Sequence, residues 1–351
     1  MNKSKFCDTE KELFDDFIGS FEFAEQLEGK TVLVTGGTGL IGSYILRCLS
    51  ALKTKYRLNV TIYATARDIE KTKDEKFSKS IEWLIKDLRN MNGLPDKVDI
   101  IFHTACPTQS LYLKSHPVEV MNDSITGAKD LLEYCRNHLS CRLVYISSIE
   151  IYGQKSDDSS PTKENQYGYL EHLNPRSCYP ESKKLIEAMC SSYASEYGVS
   201  CMIARLTQTI GADISPADSR VFVQFARSAA TNEDIVLHTE GESSKSYIHV
   251  LDAVNALFYI VFKGQPSEAH NVANEKAYIS IRGLADFIAD SFNSKIHVTI
   301  EKRQDLGYAP DTKINLDASK IKALGWKAKI DLHQMFSALI DAVKDSYGGA
   351  Y

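Results

Sequence analysis

A chain of 351 residues, 43% hydrophobic and 25% charged, has enough apolar mass for one large domain or two ordinary ones. Its net charge of −5 argues against a nucleic-acid or anionic membrane surface, and no apolar run reaches the roughly 18 residues that cross a bilayer. The opening MNKSKFCDTEKELFDDF has no apolar signal-peptide core, so a cytoplasmic location is expected.

Residues 8 to 28 alternate acidic and aromatic positions and predict a helical extension with Leu13, Phe14, Phe17 and Ile18 on one face. From KTVLVTG onward, short Val- and Ile-rich runs (VTIYATA, VDIIFHTA, RLVYISS, VSCMIARL) recur between helical patterns. That alternation predicts right-handed β-α-β units around a parallel sheet. Beyond Arg205 it decays: SYIHV reads as a strand leading into the apolar helix LDAVNALFYIVF, AHNVAN as a further short strand, and 276 to 347 as two amphipathic helices with LGW between them. The expected fold class is α/β, a Rossmann-like doubly wound parallel sheet over 29–208 and 246–273. A smaller C-terminal α/β substrate domain takes 209–245 and 274–351, and the helical extension takes 1–28. Cys7, Cys48, Cys106, Cys135, Cys141, Cys178, Cys190 and Cys201 show no C-x-x-C pair or metal-ligand spacing. They read as reduced packing thiols, and no metal site is expected.

VLVTGGTGLIGSYIL is a strand running through a glycine loop into a helix, with Gly36, Gly39 and Gly42 spaced G-x-x-G-x-x-G. Gly36 suits the tight turn, Gly39 the approach of backbone amides to a pyrophosphate, and Gly42 close packing of helix on strand. Leu40 and Ile41, between the last two glycines, are grouped with them as dinucleotide contacts. Where an acidic residue would grip the ribose of NAD at the end of the second strand, the chain has ATARD. Arg67 is suited to the 2′-phosphate of NADP and Asp68 to a ribose hydroxyl, so NAD and NADP both stay open. Asp87 and Leu88, in IKDLR after the third strand, and Thr104 and Ala105, in HTA after the fourth, complete the cofactor set. His103 of the same HTA is read as a packed core histidine.

Tyr179 and Lys183 in RSCYPESKK lie one helical turn apart and share a face. An ammonium beside a phenol favours the phenolate and makes it a usable base. Upstream, ISSIEIYG ends a core strand with Ser148 and Glu150. Ser148, Tyr179 and Lys183 resemble the triad of the short-chain dehydrogenase/reductase superfamily. The resemblance runs from residue 29 almost to the end and rests on VTGGTGLIGS, DIIFHTACPTQSLYLKSHPVEVMNDSITGAKDLL, ISSIEIYG, NPRSCYPESKKLIEAMC, DSRVFVQFAR, YIHVLDAV and LGW. Within that superfamily the chain is most similar to UDP-glucuronate decarboxylases and dTDP-glucose 4,6-dehydratases.

The resemblance implies a bound nicotinamide cofactor, a nucleotide-diphosphate sugar as substrate, and a homodimer paired through helices near 118–137 and 179–197. It implies Tyr179 as base, Ser148 as hydrogen-bond partner of the reacting oxygen, Lys183 as holder of phenolate and ribose, and Glu150 as a second base beside a transient ketone. Between Ser148 and Glu150 those dehydratases carry aspartate and those decarboxylases serine. Ile149 stands there and donates nothing, which moves the expectation toward epimerisation or a related lyase reaction. A net keto-sugar reductase is the same-class alternative, and a non-catalytic cofactor-sensing protein the alternative of another class. Thr108, Gln109 and Tyr112 are expected at the glycosyl group. Gln208, Arg220 and Lys245 match substrate-phosphate and nucleotide positions; Gln208 and Lys245 replace the usual asparagine and arginine, while Arg220 keeps its planar fork.

Overall fold

The computed structural model describes residues 6–74, 77, 79–87, 89–155, 160–213, 218–302 and 312–347. Seven strands form one wholly parallel sheet: β1 (Thr31–Thr35), β2 (Thr61–Ala66), β3 (Ile81–Ile85), β4 (Ile100–His103), β5 (Arg142–Ser148), β6 (Ser200–Leu206) and β10 (Ala269–Val272), in the order β10-β6-β5-β4-β1-β2-β3. Both faces are buried, so alternate residues of one strand enter different cores. Val32 and Val34 of β1 pack with α3 (Leu40–Tyr56) and α8 (Val250–Lys263), whereas Leu33 packs on the side of α5 (Pro117–Asn137) and α6 (Cys178–Tyr197).

The chain order reverses between β1 and β4. In open α/β sheets the ligand crevice lies outside the carboxyl ends of strands at such a switch point. Here those ends carry Gly36 and Thr104.

A second sheet joins β9 (Ser244–His249) to β7 (Gln208–Ile210), β11 (Asn274–Ser280) and β13 (Lys313–Ile314), and β8 (Ile235–Leu237) pairs with β12 (Val298–Ile300). The boundary expected at 246 therefore falls inside β9. Around this sheet lie α7 (Val221–Thr231), α9 (Ile281–Phe292) and α11 (Leu332–Tyr347), while α10 (Ser319–Ala323) packs on β10 and α8. The helix after β9 is apolar nearly all round because it is enclosed, and Trp326 of LGW donates its indole N–H to Asp252 O at 3.1 Å.

The extension forms α1 (Asp8–Gly19) and a short α2 (Ala24–Leu27), and Leu13, Phe14, Phe17 and Ile18 pack onto the main core as their spacing predicts. Glu10, on the same extension, is fully buried. Its carboxylate accepts from the Tyr44 hydroxyl at 2.7 Å and lies 3.2 Å from His249 Nε2. His249 Nδ1 accepts from Leu251 N–H at 3.3 Å, which leaves Nε2 to carry the proton toward Glu10. No helix among the described residues is long and apolar enough to cross a membrane.

Candidate active site

The glycine loop opens straight off β1. Gly36 has φ +68°, and a Cβ there would sit 2.8 Å from Ala105 Cα; one on Gly42 would meet Gly36 O at 2.3 Å. Neither position accepts a side chain without moving backbone. At Gly39 the nearest atom to such a Cβ is Gly36 O at 3.4 Å, and the residue borders open space as the N-cap of α3. Side chains from the neighbouring strands fix the loop: Gly36 N–H donates to Thr65 Oγ1 at 3.1 Å and Thr104 Oγ1 donates to Thr35 O at 2.6 Å.

Below the loop runs a cavity of about 340 Å³, bordered by Gly36 and Gly39, by Arg67 and Asp87, and by Thr104 and Ala105. The expected glycosyl-facing residues Thr108, Gln109 and Tyr112 border the same cavity. Leu40 and Ile41 instead pack into the core at the start of α3, and Leu88 lies outside the described residues. Asp87 is gripped by Arg89, whose Nε and NH2 donate at 2.9 and 3.1 Å; these hydrogen bonds hold its carboxyl below the usual range against partial burial. An adenine amino group would thus meet a carboxylate already engaged.

The inner end of the cavity is formed by Cys106 and Tyr112, which pack against the cluster of Leu113, Val120, Cys178 and Tyr179. Tyr179 hydrogen-bonds Ser148. Lys183, nearly buried, donates to Ile146 O at 2.7 Å and holds its ammonium 5.6 Å from the centre of the Tyr179 ring. The expectation that Lys183 acidifies Tyr179 needs correction. Burial pushes the phenol well above its usual value, Cys106 and Glu150 push the same way, and the Ser148 hydrogen bond only partly opposes them. The ammonium faces the ring and a backbone carbonyl.

Ser148 ends β5, and its Oγ accepts from Glu150 N–H at 3.2 Å to cap a 3-10 turn over Ile149–Tyr152. This turn separates the three side chains. Glu150 remains about one-third exposed and pairs with Arg176 at 3.2 Å, while Ile149 is buried with Ile151, Tyr152, Ala273, Ile314 and Leu316. The residue with no proton to give is a core residue.

Gln208, Arg220 and Lys245 do not border the cavity: they lie on β7, at the N-cap of α7 and on β9. Arg220 does not hold its fork free, because Nε and NH2 donate to the Asp218 carboxylate at 2.7 to 3.0 Å. His103 is buried and shares a 2.7 Å hydrogen bond with Thr35, and burial depresses its pKa to about 3, consistent with a neutral core side chain. Sequence reading assigned no role to Arg176, Cys106, Asp123, Lys71 or Lys86. Arg176 stands three residues before Tyr179 in the quoted motif, which was the available signal. Nothing in spacing marks the other four.

Residues 32–273 match the model of the NAD dependent epimerase/dehydratase family. The chain belongs to that family. It is 26% identical to UDP-glucuronic acid decarboxylase 3 of Arabidopsis thaliana over 306 residues, 86% of each chain. Among solved structures it superposes on UDP-glucuronic acid 4-epimerase of Bacillus cereus, in complex with UDP-glucuronic acid and NAD, with a TM-score of 0.75 at 18% identity over 90% of this chain and all of that one. A dTDP-glucose 4,6-dehydratase of Streptomyces venezuelae gives 0.74 at 21% identity over 91% and 98%.

Proposed function

We propose that the protein converts a nucleotide-diphosphate sugar by transient oxidation to a ketone and return of the hydride, as an epimerase or a related lyase. The observation that carries this is the convergence of Ser148, Tyr179, Lys183 and Glu150 behind Cys106 and Tyr112, two residues that border the cavity headed by the glycine loop. Gly36, Gly39, Thr104 and Ala105 fit a dinucleotide pyrophosphate: two of the three loop residues that border the cavity, Gly36 and Gly39, carry no side chain. A bound nicotinamide dinucleotide supplies the hydride acceptor.

Tyr179 acts as a phenolate whose negative charge Lys183 stabilises; it takes the proton of the reacting sugar hydroxyl and is left neutral, while Ser148 holds that oxygen. The ketone acidifies its neighbouring carbon, where Glu150 takes a proton. Arg176 holds Glu150 in place through their ion pair. With Ile149 turned into a core, no third donor stands between Ser148 and Glu150 to protonate a leaving hydroxide, which favours epimerisation over dehydration.

The smaller sheet, with Gln208 and Lys245, and the start of α7, with Arg220, are read as the substrate side. The exposed apolar Val118 and Met121 of α5 and Leu185 of α6 support a homodimer through those helices. The test is incubation with a panel of nucleotide sugars in heavy water, followed by mass spectrometry. Deuterium in a converted sugar supports the reading; conversion without deuterium, or no conversion across the panel, defeats it. A second reading, net reduction of a keto-sugar nucleotide, is favoured by Arg67 at the cavity and predicts stoichiometric consumption of NADPH.

A further inference from the structure

Lys183 is a buried ammonium with no carboxylate of its own. It is 4% exposed and forms no ion pair with a described residue. Glu187, one helical turn on, is in reach of a helical lysine by its spacing. Both of its oxygens are instead held by the buried Arg205, at 2.6 to 3.2 Å. Glu150 is taken by Arg176. An unpaired charge away from water is costly, so other groups must offset the desolvation of Lys183.

Consecutive residues of β5 do so. The Ile146 carbonyl accepts from Lys183 Nζ at 2.7 Å, and the same nitrogen lies over the Tyr145 ring, 4.8 Å from its centre and nearer than to the Tyr179 ring at 5.6 Å. Strand alternation arranges this: Leu143 and Tyr145 face the side of α5 and α6, and Val144 and Ile146 the opposite core. Residues 145 to 148 of β5 thus bring a ring, a carbonyl and the Ser148 hydroxyl to one site. Tyr145 is 1% exposed, and its hydroxyl has no hydrogen-bond partner among the described residues, where a buried tyrosine ordinarily finds one. Its aromatic neighbour His103, with ring centres 5.8 Å apart, is uncharged and does not compete with the ammonium for the ring.

We infer that Tyr145 is a positioning residue, whose ring face seats the Lys183 ammonium beside Tyr179. A ring quadrupole attracts a cation without cancelling its charge. A carboxylate in that place would hold the ammonium and neutralise it, leaving less field to stabilise a phenolate. The ring is what position 145 supplies to the site, and the hydroxyl is dispensable to that role. The inference rests on the reading of Ser148, Tyr179 and Lys183 as the reacting set and is independent of which sugar is converted.

Nuclear magnetic resonance of the full chain carrying isotope-labelled lysine reads the contact without any substrate. The Lys183 ε-methylene, assigned by its loss in Lys183→Arg, should be shifted upfield by the ring current, and Tyr145→Leu should remove most of that shift. Steady-state kinetics on a converted nucleotide sugar reads the consequence. Tyr145→Leu should lower kcat by about tenfold, the rate equivalent of one desolvated cation–π contact, with KM nearly unchanged. Tyr145→Phe should recover most of that loss. Successive fluorines on the phenylalanine ring weaken its face with little change in shape, and should lower kcat stepwise while the thermal midpoint holds. An unshifted resonance, a shift that survives Tyr145→Leu, or a kcat indifferent to fluorination would overturn the inference and leave the proposed function standing. A kcat as low in Tyr145→Phe as in Tyr145→Leu would overturn it by giving the role to the hydroxyl. No conversion of any sugar by the wild type would defeat the proposed function, and the resonance alone would then decide whether Tyr145 seats Lys183.

Discussion

Two buried tyrosines show how differently the same side chain is used in this protein. Tyr44 donates to Glu10, which His249 also meets, and the nearby Arg47 lies over the Phe6 ring at 3.4 Å. Tyr179 hydrogen-bonds Ser148 behind Cys106 and Tyr112, with an ammonium on its ring and the Glu150 carboxylate close by. Burial raises the pKa of both phenols, so a perturbed pKa does not separate them. What does is connection: the Tyr44 cluster is closed on itself, and the Tyr179 cluster adjoins a cavity. A closed polar cluster fixes packing, and one beside a cavity can exchange a proton.

The largest effect that sharpens this contrast is at Tyr179. Tyr179→Phe should lower turnover by about 10²- to 10⁴-fold, the usual worth of a positioned general acid–base, with substrate affinity and thermal midpoint nearly unchanged. Tyr44→Phe should do the reverse; steady-state kinetics and thermal unfolding of the two variants read it, and a large turnover loss at Tyr44 would break the comparison.

Next in size is Glu10. Removing the buried Glu10 carboxylate leaves its donors Tyr44 and His249 without an acceptor at about 1–3 kcal/mol each, so Glu10→Ala should lower unfolding stability by that order at neutral pH, as measured in denaturant. Burial works against its charged form, but His249, Tyr44 and Arg47 outweigh it, and the folded pKa lies below the usual 4.5. A depressed carboxyl contributes stability that is present above its unfolded pKa and lost as pH falls through the folded one. The gap between wild type and Glu10→Gln should therefore be full near neutrality and close as the pH drops below 4.5. A gap that widens in acid would refute the ionised pairing.

Smaller again is Arg176. Arg176→Ala, by releasing Glu150, should lower turnover by about tenfold in steady-state kinetics, with Arg176→Lys recovering part of the rate. The smallest is Ile149→Val, which trims a packed side chain and should cost about 0.5–1.5 kcal/mol with no change in product. A changed product would place that side chain at the sugar instead of the core.

Legibility from sequence followed periodicity. Gly36, Gly39 and Gly42, the Tyr179–Lys183 turn and the Val- and Ile-rich strands repeat at intervals that the backbone dictates, and each came out where spacing put it. Glu10 was invisible because helical spacing identifies apolar faces, and this acid sits beneath a helix covered by α3, α8 and α11. Ile149 read as an active-site residue because its neighbours are; only the 3-10 turn turns it inward. Arg176, Lys71 and the Asp218 partner of Arg220 stand in irregular segments where no repeat tells one charge from another.

The central claim is that the cofactor is reduced and restored within each turnover. It is tested most directly by following the reduced-nicotinamide absorption band while a converted nucleotide sugar is mixed with the cofactor-loaded protein. The account predicts a transient rise that returns to its starting level as product accumulates, and a rise that persists in Glu150→Gln. Product formed in step with a lasting loss of the band would contradict it and make the protein a net reductase.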